Sequence, residues 1–295
     1  MAEWSGVAGK RLLITGATNG IGLAAVKELA RRGAKLAIVA RSEGRAAEAL
    51  RQIKDASRPG GDVDVLLADL ASQTSVRRLA AEVLERYPKL DVLVNNAGAV
   101  YSSRQLTEDG IELTWAVNHL APFLLTTLLL DRLQKNAPAR IVTTSSRAHL
   151  GARIPFNDMA GERSYGGFGF SRYSETKLAN ILFTMELARR LEGTGVTANC
   201  FHPGVVASGF NRNNSTLMRL AMTIVRPFSR SPEKGAETLV WLADSPEVSG
   251  ENGGYFVDTR RVSPSAAAQD AKAARRLWAA SEEQTRASAP RSRPE

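Results

Sequence analysis

The chain has 295 residues, 43% of them hydrophobic, and a formal net charge of +9 at pH 7. This length and composition allow a sizeable buried core and are typical of one α/β domain with a tail. The arginines are scattered and form no basic helix with interleaved aromatic residues, so nucleic acid is an unlikely partner.

The features that report on cellular location all favour the cytoplasm. The first stretch, MAEWSGVAGKRLLITG, lacks the apolar core of an export signal. The apolar run LAPFLLTTLLL stops at Asp131, short of the roughly 18 residues of a membrane span, and predicts a buried helix. The single cysteine, Cys200, cannot form an internal disulfide, which fits a reducing compartment. We therefore expect a cytoplasmic protein without a transmembrane segment.

Strand-like and helix-like segments alternate along the chain. Residues 12–14 predict a short buried strand, followed by the turn TGATNGIG and a helix that ends at Gly33. Further strands are predicted in KLAIVA, DVDVLLADL, LDVLVNNAG, RIVTTSS, VTANCFHPG and GGYFVD, with helices between them, including an apolar helix at 118–133. This order predicts an α/β fold, a Rossmann-type doubly wound parallel sheet in a single domain with helices on both faces.

Two long segments interrupt this order. Residues 147–172 and 207–230 are rich in Gly, Asn, Phe and Met, and long connections beside strand ends are commonly functional lids. We expect both to be substrate lids within a cofactor-binding domain of residues 1–262. Residues 263–295 are expected to be a partly disordered C-terminal extension, because they are rich in Ala, Arg and Ser.

The turn TGATNGIG predicts a phosphate-binding site. It places Gly16, Gly20 and Gly22, with Asn19 and Ile21 between them, between the first strand and the first helix. Glycine lets the backbone approach a pyrophosphate, whose charge is favoured at a helix N-terminus. The spacing G-x-x-x-G-x-G differs from the common G-x-G-x-x-G fingerprint, so the strand-turn-helix context carries the argument.

The end of the second strand indicates which dinucleotide binds. NAD-binding units usually present Asp or Glu there to bind the ribose 2′-hydroxyl. Here Ala40 cannot accept that bond, whereas Arg41, with Ser42 or Arg45, can neutralise a 2′-phosphate. NADP(H) is therefore favoured over NAD(H), although Glu43 keeps the second cofactor open.

The segment YSETK places Tyr173 four residues before Lys177. On a helix these side chains share one face, and a neighbouring cation favours the phenolate of a tyrosine whose pKa is ordinarily about 10. The pair could therefore transfer protons, although Y-x-x-x-K alone is a weak motif.

Taken with its companions, YSETK resembles the short-chain dehydrogenase/reductase family, over about residues 10–258. The resemblance is carried by TGATNGIG, Asp69 in ADL, NNAG, Asn118 in AVNHLAPF, Ser146 in IVTTSS, Tyr173, Lys177 and HPGVV. VNHLAPFLLT, YSETKLANILF and the late GGYFVD segment are similar to the retinol dehydrogenase-like branch.

This resemblance implies a catalytic set of four side chains. Tyr173 is the expected general acid for carbonyl reduction, and Lys177 is expected to lower its pKa and to hold the nicotinamide ribose. Ser146 is expected to bind the substrate oxygen, although the adjacent Ser145 points to the opposite side of the strand and must be distinguished from it. Asn118 is expected to help fix a water-linked proton path.

The resemblance also implies further cofactor contacts and a small-molecule carbonyl or alcohol substrate. Asp69 and Leu70 are expected beside the adenine, and the strand end Asn96, Ala97 and Gly98 is expected to support the cofactor and the sheet. The residues expected by the nicotinamide are Pro203, Gly204, Val206 and Ser208. By the same resemblance the protein is expected to form a homodimer or homotetramer.

Other interpretations stay open from the sequence. The chain could be a non-catalytic NADP(H)-responsive binding protein, a peripheral membrane protein or, among enzymes, a sugar-nucleotide epimerase or dehydratase. The histidines His119, His149 and His202 lack the close spacing of metal ligands, so we expect no metal site.

Overall fold

The computed structural model describes residues 4–54, 62–163, 165–206 and 229–286. Its strands form one sheet in the order β3-β2-β1-β4-β5-β6-β7-β8, and neighbouring strands are parallel except for the antiparallel pair β7 and β8. The strands are β1 (Arg11–Ile14), β2 (Lys35–Ala40), β3 (Val63–Leu67), β4 (Val92–Asn95), β5 (Ala139–Thr144), β6 (Val196–His202), β7 (Tyr255–Val257) and β8 (Arg260–Arg261).

Helices cover both faces of the sheet. They are α1 (Gly20–Arg31), α2 (Glu43–Lys54), α3 (Gln73–Arg86), α4 (Leu113–Trp115), α5 (Ala121–Lys135), α6 (Phe170–Arg190), α7 (Pro232–Asp244) and α8 (Ala271–Arg286). Apolar side chains of α1, α2 and α7 pack on one face, whereas those of α3, α5 and α6 pack on the other. The prediction of a doubly wound sheet in a single domain is confirmed.

Strand β1 shows why a short apolar run suffices at the centre of this fold. Leu12 and Ile14 enter the core under α1, while Leu13 between them enters the core under α3 and α5. Successive side chains of a strand point to opposite faces, so a strand between two helical layers must be apolar throughout. Burying each such side chain stabilises the fold by about 1.5–3 kcal/mol.

The apolar helix predicted at 118–133 begins earlier, because α4 runs through a π-helical turn at Ala116–Leu120 into α5. Among the described residues, this run, Leu113–Lys135, is the one helix long and apolar enough to cross a membrane. Its most apolar window is 78% buried inside the fold, which is the ordinary situation of a core helix.

The carboxyl-terminal segment is more ordered than its composition indicates. Between residues 263 and 286 it forms a 3₁₀ turn at Ala266–Gln269 and the helix α8. Trp278 of α8 is buried against Phe123 and Phe183, and Arg190 stacks over its ring. Within the Ala- and Arg-rich composition, one helix face carries apolar residues that become buried. The last residues, 287–295, lie outside the described residues.

Candidate active site

A cleft of about 1030 Å³ opens at the carboxyl edge of the sheet, where the loops that follow β1 to β6 meet. Its position matches the crevice where parallel α/β sheets bind ligands, since β1 and β4 form the switch point of the strand order. The sequence-predicted residues that line it are Gly16, Asn19, Gly20, Ile21, Gly22, Arg41, Asp69, Leu70, Asn96, Ala97, Gly98, Ser146, Tyr173, Lys177, Pro203, Gly204 and Val206.

The glycine turn after β1 is packed so closely that side chains do not fit. Gly16 has a φ of +65°, and a Cβ on it would lie 2.7 Å from the Cα of Ala97. A Cβ on Gly22 would lie 2.1 Å from the carbonyl oxygen of Gly16. Asn96 locks the two loops together, because its side-chain amide donates to the carbonyl of Gly16 at 3.1 Å. These glycines therefore keep the floor of the cleft open to a ligand.

The first turn of α1 is available to an anion. Its N-cap residue, Asn19, makes no side-chain capping bond, and no acidic residue stands in the first turn of this helix. The N–H groups of that turn lack helical acceptors and carry the positive end of the helix dipole. Together with the glycine turn, this helix end fits the diphosphate of a dinucleotide.

Two exposed arginines follow β2, one directly after the strand and one in the first turn of α2. Arg41 and Arg45 both line the cleft. The carboxylate of Asp69, after β3, accepts a hydrogen bond from the N–H of Ala71 at 3.0 Å and so shapes its own turn. This end of the cleft is therefore positively charged and open, which suits a phosphate.

At the opposite end of the cleft, the two adjacent serines have different hydrogen-bond partners. The phenol of Tyr173 hydrogen-bonds with the side chain of Ser146. The hydroxyl of Ser145 instead donates to the backbone carbonyl of Lys177 at 2.8 Å and is fully buried. The backbone turn after β5 thus gives the two hydroxyls different partners, with Ser146 towards Tyr173.

Lys177 is buried at the same end of the cleft. Its ammonium donates to the carbonyl of Thr144 at 3.2 Å and lies 5.3 Å from the centre of the Tyr173 ring. Asn180, on the same helix, donates to the same carbonyl at 3.1 Å. A Cβ on Gly98 would lie 3.3 Å from the Lys177 nitrogen, so the glycine leaves room for the ammonium at the cleft.

Burial shifts the pKa values of Tyr173 and Lys177 in opposite directions. Burial raises the pKa of Tyr173 to about 12, and its hydrogen bond with Ser146 only partly opposes this rise. Burial also lowers the pKa of Lys177 to about 8. Burial is the largest influence on both groups, and the expectation that Lys177 lowers the pKa of Tyr173 stays a prediction.

Asn118 does not line the cleft. It lies fully buried in the π-helical turn, and its side chain exchanges hydrogen bonds with the backbone of Ala99, accepting at 2.8 Å and donating at 2.9 Å. Its amide also donates to Thr176 at 3.1 Å. Asn118 therefore joins the loop after β4 to the helix that carries Tyr173, and π-helical turns often occur at functional sites.

The loop after β6 also lines the cleft. Gly204 has a φ of +85°, and a Cβ on it would lie 2.7 Å from Arg230, which pairs in turn with Asp258. Pro203 and Val206 lie in the same loop. Ser208 and most of the predicted lid at 207–230 lie outside the described residues.

A buried ion-pair network, which the sequence analysis missed, anchors the segment predicted as the first lid. Arg172 and Glu112 are at most 1% exposed and pair at 2.9 Å. Arg172 also donates to the carbonyl of Met159 and pairs with Glu175 at 2.9 Å.

Tyr165, in the same segment, joins this network through its hydroxyl. The hydroxyl bonds the carbonyl of Tyr101 at 3.0 Å and contacts Glu112 at 3.2 Å. The sequence gives no signal of the pairing between Glu112 and Arg172, because these residues are 60 positions apart in the chain.

Two of the three histidines, His119 and His149, have hydrogen-bond partners in the structure. His119 bonds Ser281 of α8 at 2.8 Å, and His149 bonds the backbone of Ser146 and Ser265. Over residues 4–54, 62–163, 165–206 and 229–286, no group of three His, Cys, Asp or Glu side chains could hold a metal ion.

Comparisons with known proteins agree with this geometry. A model of the family described as short chain dehydrogenase matches residues 10–218. Retinol dehydrogenase 14 from Homo sapiens is 44% identical over 289 residues, which cover 93% of this chain and 85% of the relative. Retinol dehydrogenase 12 from Mus musculus is 43% identical over 272 residues, which cover 92% and 85% respectively.

Solved structures of known proteins are also similar to this chain. The crystal structure of an uncharacterized protein from Mycobacterium Paratuberculosis has a TM-score of 0.75 and 33% identity, and the match covers 97% of this chain and 98% of that chain. A short chain dehydrogenase from Burkholderia cenocepacia J2315 in complex with NADP has a TM-score of 0.67 and 29% identity, covering 85% and 96%. The chain therefore belongs to the short-chain dehydrogenase/reductase family of oxidoreductases, in its retinol dehydrogenase-like branch.

Proposed function

We propose that the protein is an NADP(H)-dependent oxidoreductase that interconverts an aldehyde or ketone with an alcohol. The observation that carries the proposal is that Ser146, Tyr173 and the buried Lys177 line one end of the cleft together, with the Lys177 ammonium 5.3 Å from the centre of the Tyr173 ring. This group stands in the same cleft as the glycine turn and the exposed Arg41.

The cleft supports the choice of cofactor at both ends. The glycine turn and the N-terminus of α1 would hold the diphosphate, and Arg41 with Arg45 would hold a 2′-phosphate. Lys177, beneath Gly98, would hold the nicotinamide ribose. When bound, the reduced nicotinamide supplies a hydride to the substrate carbon. A solved relative was crystallised in complex with NADP, which is consistent with this choice.

Tyr173 supplies the proton in this proposal. With a pKa of about 12 its phenol is protonated at neutral pH, so it can donate a proton to the oxygen of a carbonyl as that oxygen gains negative charge. Ser146 donates a hydrogen bond to the same oxygen and stabilises the developing charge. Lys177 then favours the phenolate left on Tyr173, because its charge is buried nearby.

Asn118 acts at a distance from the substrate in this proposal. Its bonds to Ala99 and Thr176 hold the loop after β4 against α6. The position of Tyr173 on α6 depends on that contact. A water-linked proton path through Asn118 stays a prediction.

The substrate side of the cleft favours a lipophilic compound. Leu113, Val117 and Phe170 line it, and Phe170 is 56% exposed, beside the ring of Tyr173 at 5.9 Å. An exposed aromatic ring at the mouth of a cleft offers apolar area to a ligand. The relatives named retinol dehydrogenase are consistent with such a substrate.

Tyr173→Phe tests the proposal. We expect turnover of a carbonyl panel with NADPH to fall by about 10³-fold or more, since no other donor replaces the phenol. NADPH affinity, measured by the change in its fluorescence, should change little. Tyr87→Phe is the matched control, because the Tyr87 hydroxyl bonds Asp64 of β3 and Tyr87 is not among the residues that line the cleft.

The same variant separates the alternatives. A non-catalytic NADP(H)-responsive protein would show no turnover in the unmodified chain and no effect of Tyr173→Phe. An epimerase or dehydratase would act on sugar nucleotides without net consumption of NADPH. Cytoplasmic location and a homodimeric or homotetrameric state stay predictions.

A further inference from the structure

His149 lies three residues after Ser146 and uses both of its ring nitrogens. Nδ1 is 2.7 Å from the carbonyl oxygen of Ser146, and Nε2 is 3.1 Å from the backbone nitrogen of Ser265. A backbone N–H can only donate, so Nε2 accepts. In a neutral ring the other nitrogen then carries the proton, and Nδ1 donates to Ser146. The residue is 1% exposed.

These bonds fix the turn that carries the Ser146 hydroxyl. The carbonyl of Ser146 accepts from Nδ1 and also from the backbone nitrogen of His149 at 3.1 Å. The hydroxyl oxygen of Ser146 accepts from the N–H of Ala148 at 3.2 Å. With that lone pair occupied, the hydroxyl hydrogen is directed elsewhere, and Tyr173 is its partner.

The bond from Ser265 joins this turn to the C-terminal segment. Ser265 lies between the β7–β8 hairpin and the 3₁₀ turn at Ala266–Gln269, which leads into α8. That helix packs on α6, which carries Tyr173. The C-terminal segment, residues 262–286, therefore contacts the site from two directions.

We propose that His149 is a positioning residue for Ser146, and that the N–H of Ser265 holds it in the tautomer that orients the catalytic turn. This inference rests on the proposed function of Ser146 as the donor to the substrate oxygen. It gives the C-terminal segment a role in the geometry of the site.

The surroundings of His149 oppose its protonation. Its ring packs edge-on against Tyr255 at 5.1 Å, Arg147 stands in its own turn, and His202 stands at the end of β6. Burial, and secondarily the charge of Arg147, lower the pKa of His149. A protonated ring would direct an N–H at the N–H of Ser265, so the neutral ring and the hydrogen bond from Ser265 stabilise each other.

Ser265→Pro removes this donor with little other change. The φ of Ser265 is −58°, which proline adopts readily, and its hydroxyl makes no hydrogen bond within the part of the chain that the structure describes. We expect kcat at pH 8 to stay within about threefold of the parent value. Without the Ser265 N–H the neutral ring can also carry its proton on Nε2, which removes the donor to Ser146, so we expect a small loss of kcat while NADPH affinity stays constant.

Two substitutions of His149 separate its two bonds. In His149→Asn the amide can replace Nδ1 as the donor to Ser146, whereas in His149→Gln the longer side chain can replace only Nε2 as the acceptor from Ser265. We expect kcat to fall about tenfold in the glutamine variant and much less in the asparagine variant, with NADPH affinity unchanged in both. Equal losses in the two variants would overturn the proposal.

Nitrogen-15 NMR of the histidine rings tests the inference without turnover. The unmodified chain has three histidines, so each ring can be assigned by substitution. We expect His149 to carry its proton on Nδ1 and to stay neutral down to pH 6, and to titrate in Ser265→Pro. Protonation of Nε2 in the parent chain, or an unchanged titration in Ser265→Pro, would contradict the positioning role. If Ser146 has no catalytic function, the tautomer would still be observed but no variant would alter kcat.

Discussion

The two ends of the cleft are built by different physical means. At the phosphate end, the site consists of backbone left open by glycines and of exposed cations such as Arg41. At the carbonyl end, the important charges are buried: Lys177, Arg172 and Glu112 are each at most 2% exposed. The first end depends on local backbone geometry and tolerates water. The second depends on contacts between distant segments, so its residues should be more costly to replace.

The largest expected effect follows from breaking the buried ion pair. Arg172→Met leaves Glu112 buried without its cation, and we expect the free energy of unfolding in urea to fall by about 3–5 kcal/mol. Arg51→Met breaks the exposed pair with Glu48 and should leave the free energy of unfolding nearly unchanged. Similar losses in the two variants would show that the buried end is not built as described.

The next effect concerns the glycine turn. Gly22→Ala would place a Cβ 2.1 Å from the carbonyl oxygen of Gly16, so the turn must move away from the ligand. We expect NADPH affinity to fall by about tenfold or more, measured by titration of the cofactor fluorescence. Gly44→Ala is the control within α2, because nothing lies within 4 Å of its Cβ, and it should stabilise the protein by about 0.5–1 kcal/mol. Unchanged affinity in Gly22→Ala would place the phosphates elsewhere.

Arg41→Ala sharpens the comparison at the exposed end. A lost charge-assisted hydrogen bond to a phosphate is worth about 1.5–3 kcal/mol, so NADPH affinity should fall by about 10- to 100-fold. NADH affinity should change little, and Arg31→Ala, at the far end of α1, should affect neither cofactor. An equal loss for the two cofactors would argue against a 2′-phosphate contact.

The last effect is the pH dependence of stability at the buried end, which develops gradually with pH. Burial lowers the pKa of His119 to about 3, whereas the unfolded chain binds that proton near pH 6.5. Between these values only the unfolded chain is protonated at this residue, so its contribution to stability is lost as pH falls. The slope should be about 1.4 kcal/mol per pH unit. In His119→Gln the free energy of unfolding should fall less steeply between pH 6 and 4. An unchanged slope would contradict the assignment of this pH dependence to His119.

Much of the fold and of the phosphate end could be predicted, because both depend on neighbouring residues. The alternation of apolar strands and helices gave the doubly wound sheet, and the turn after β1 marked its own site. The helix α8 and the strand β8 escaped prediction. The first has an apolar face hidden among Ala and Arg, and the second has only two residues, Arg260 and Arg261.

By itself the sequence determined that Tyr173 and Lys177 share a helix face and that Arg41 ends the second strand, since spacing within one element fixes both. Only the tertiary structure decided that Ser146, and not Ser145, meets the phenol, that the pKa of Tyr173 rises, and that Asn118 lies behind the cleft. The partners of Arg172 and His149 were decided in the same way. The physical reason is that burial and hydrogen-bond partners arise from segments far apart in the chain, which only the packed fold brings together.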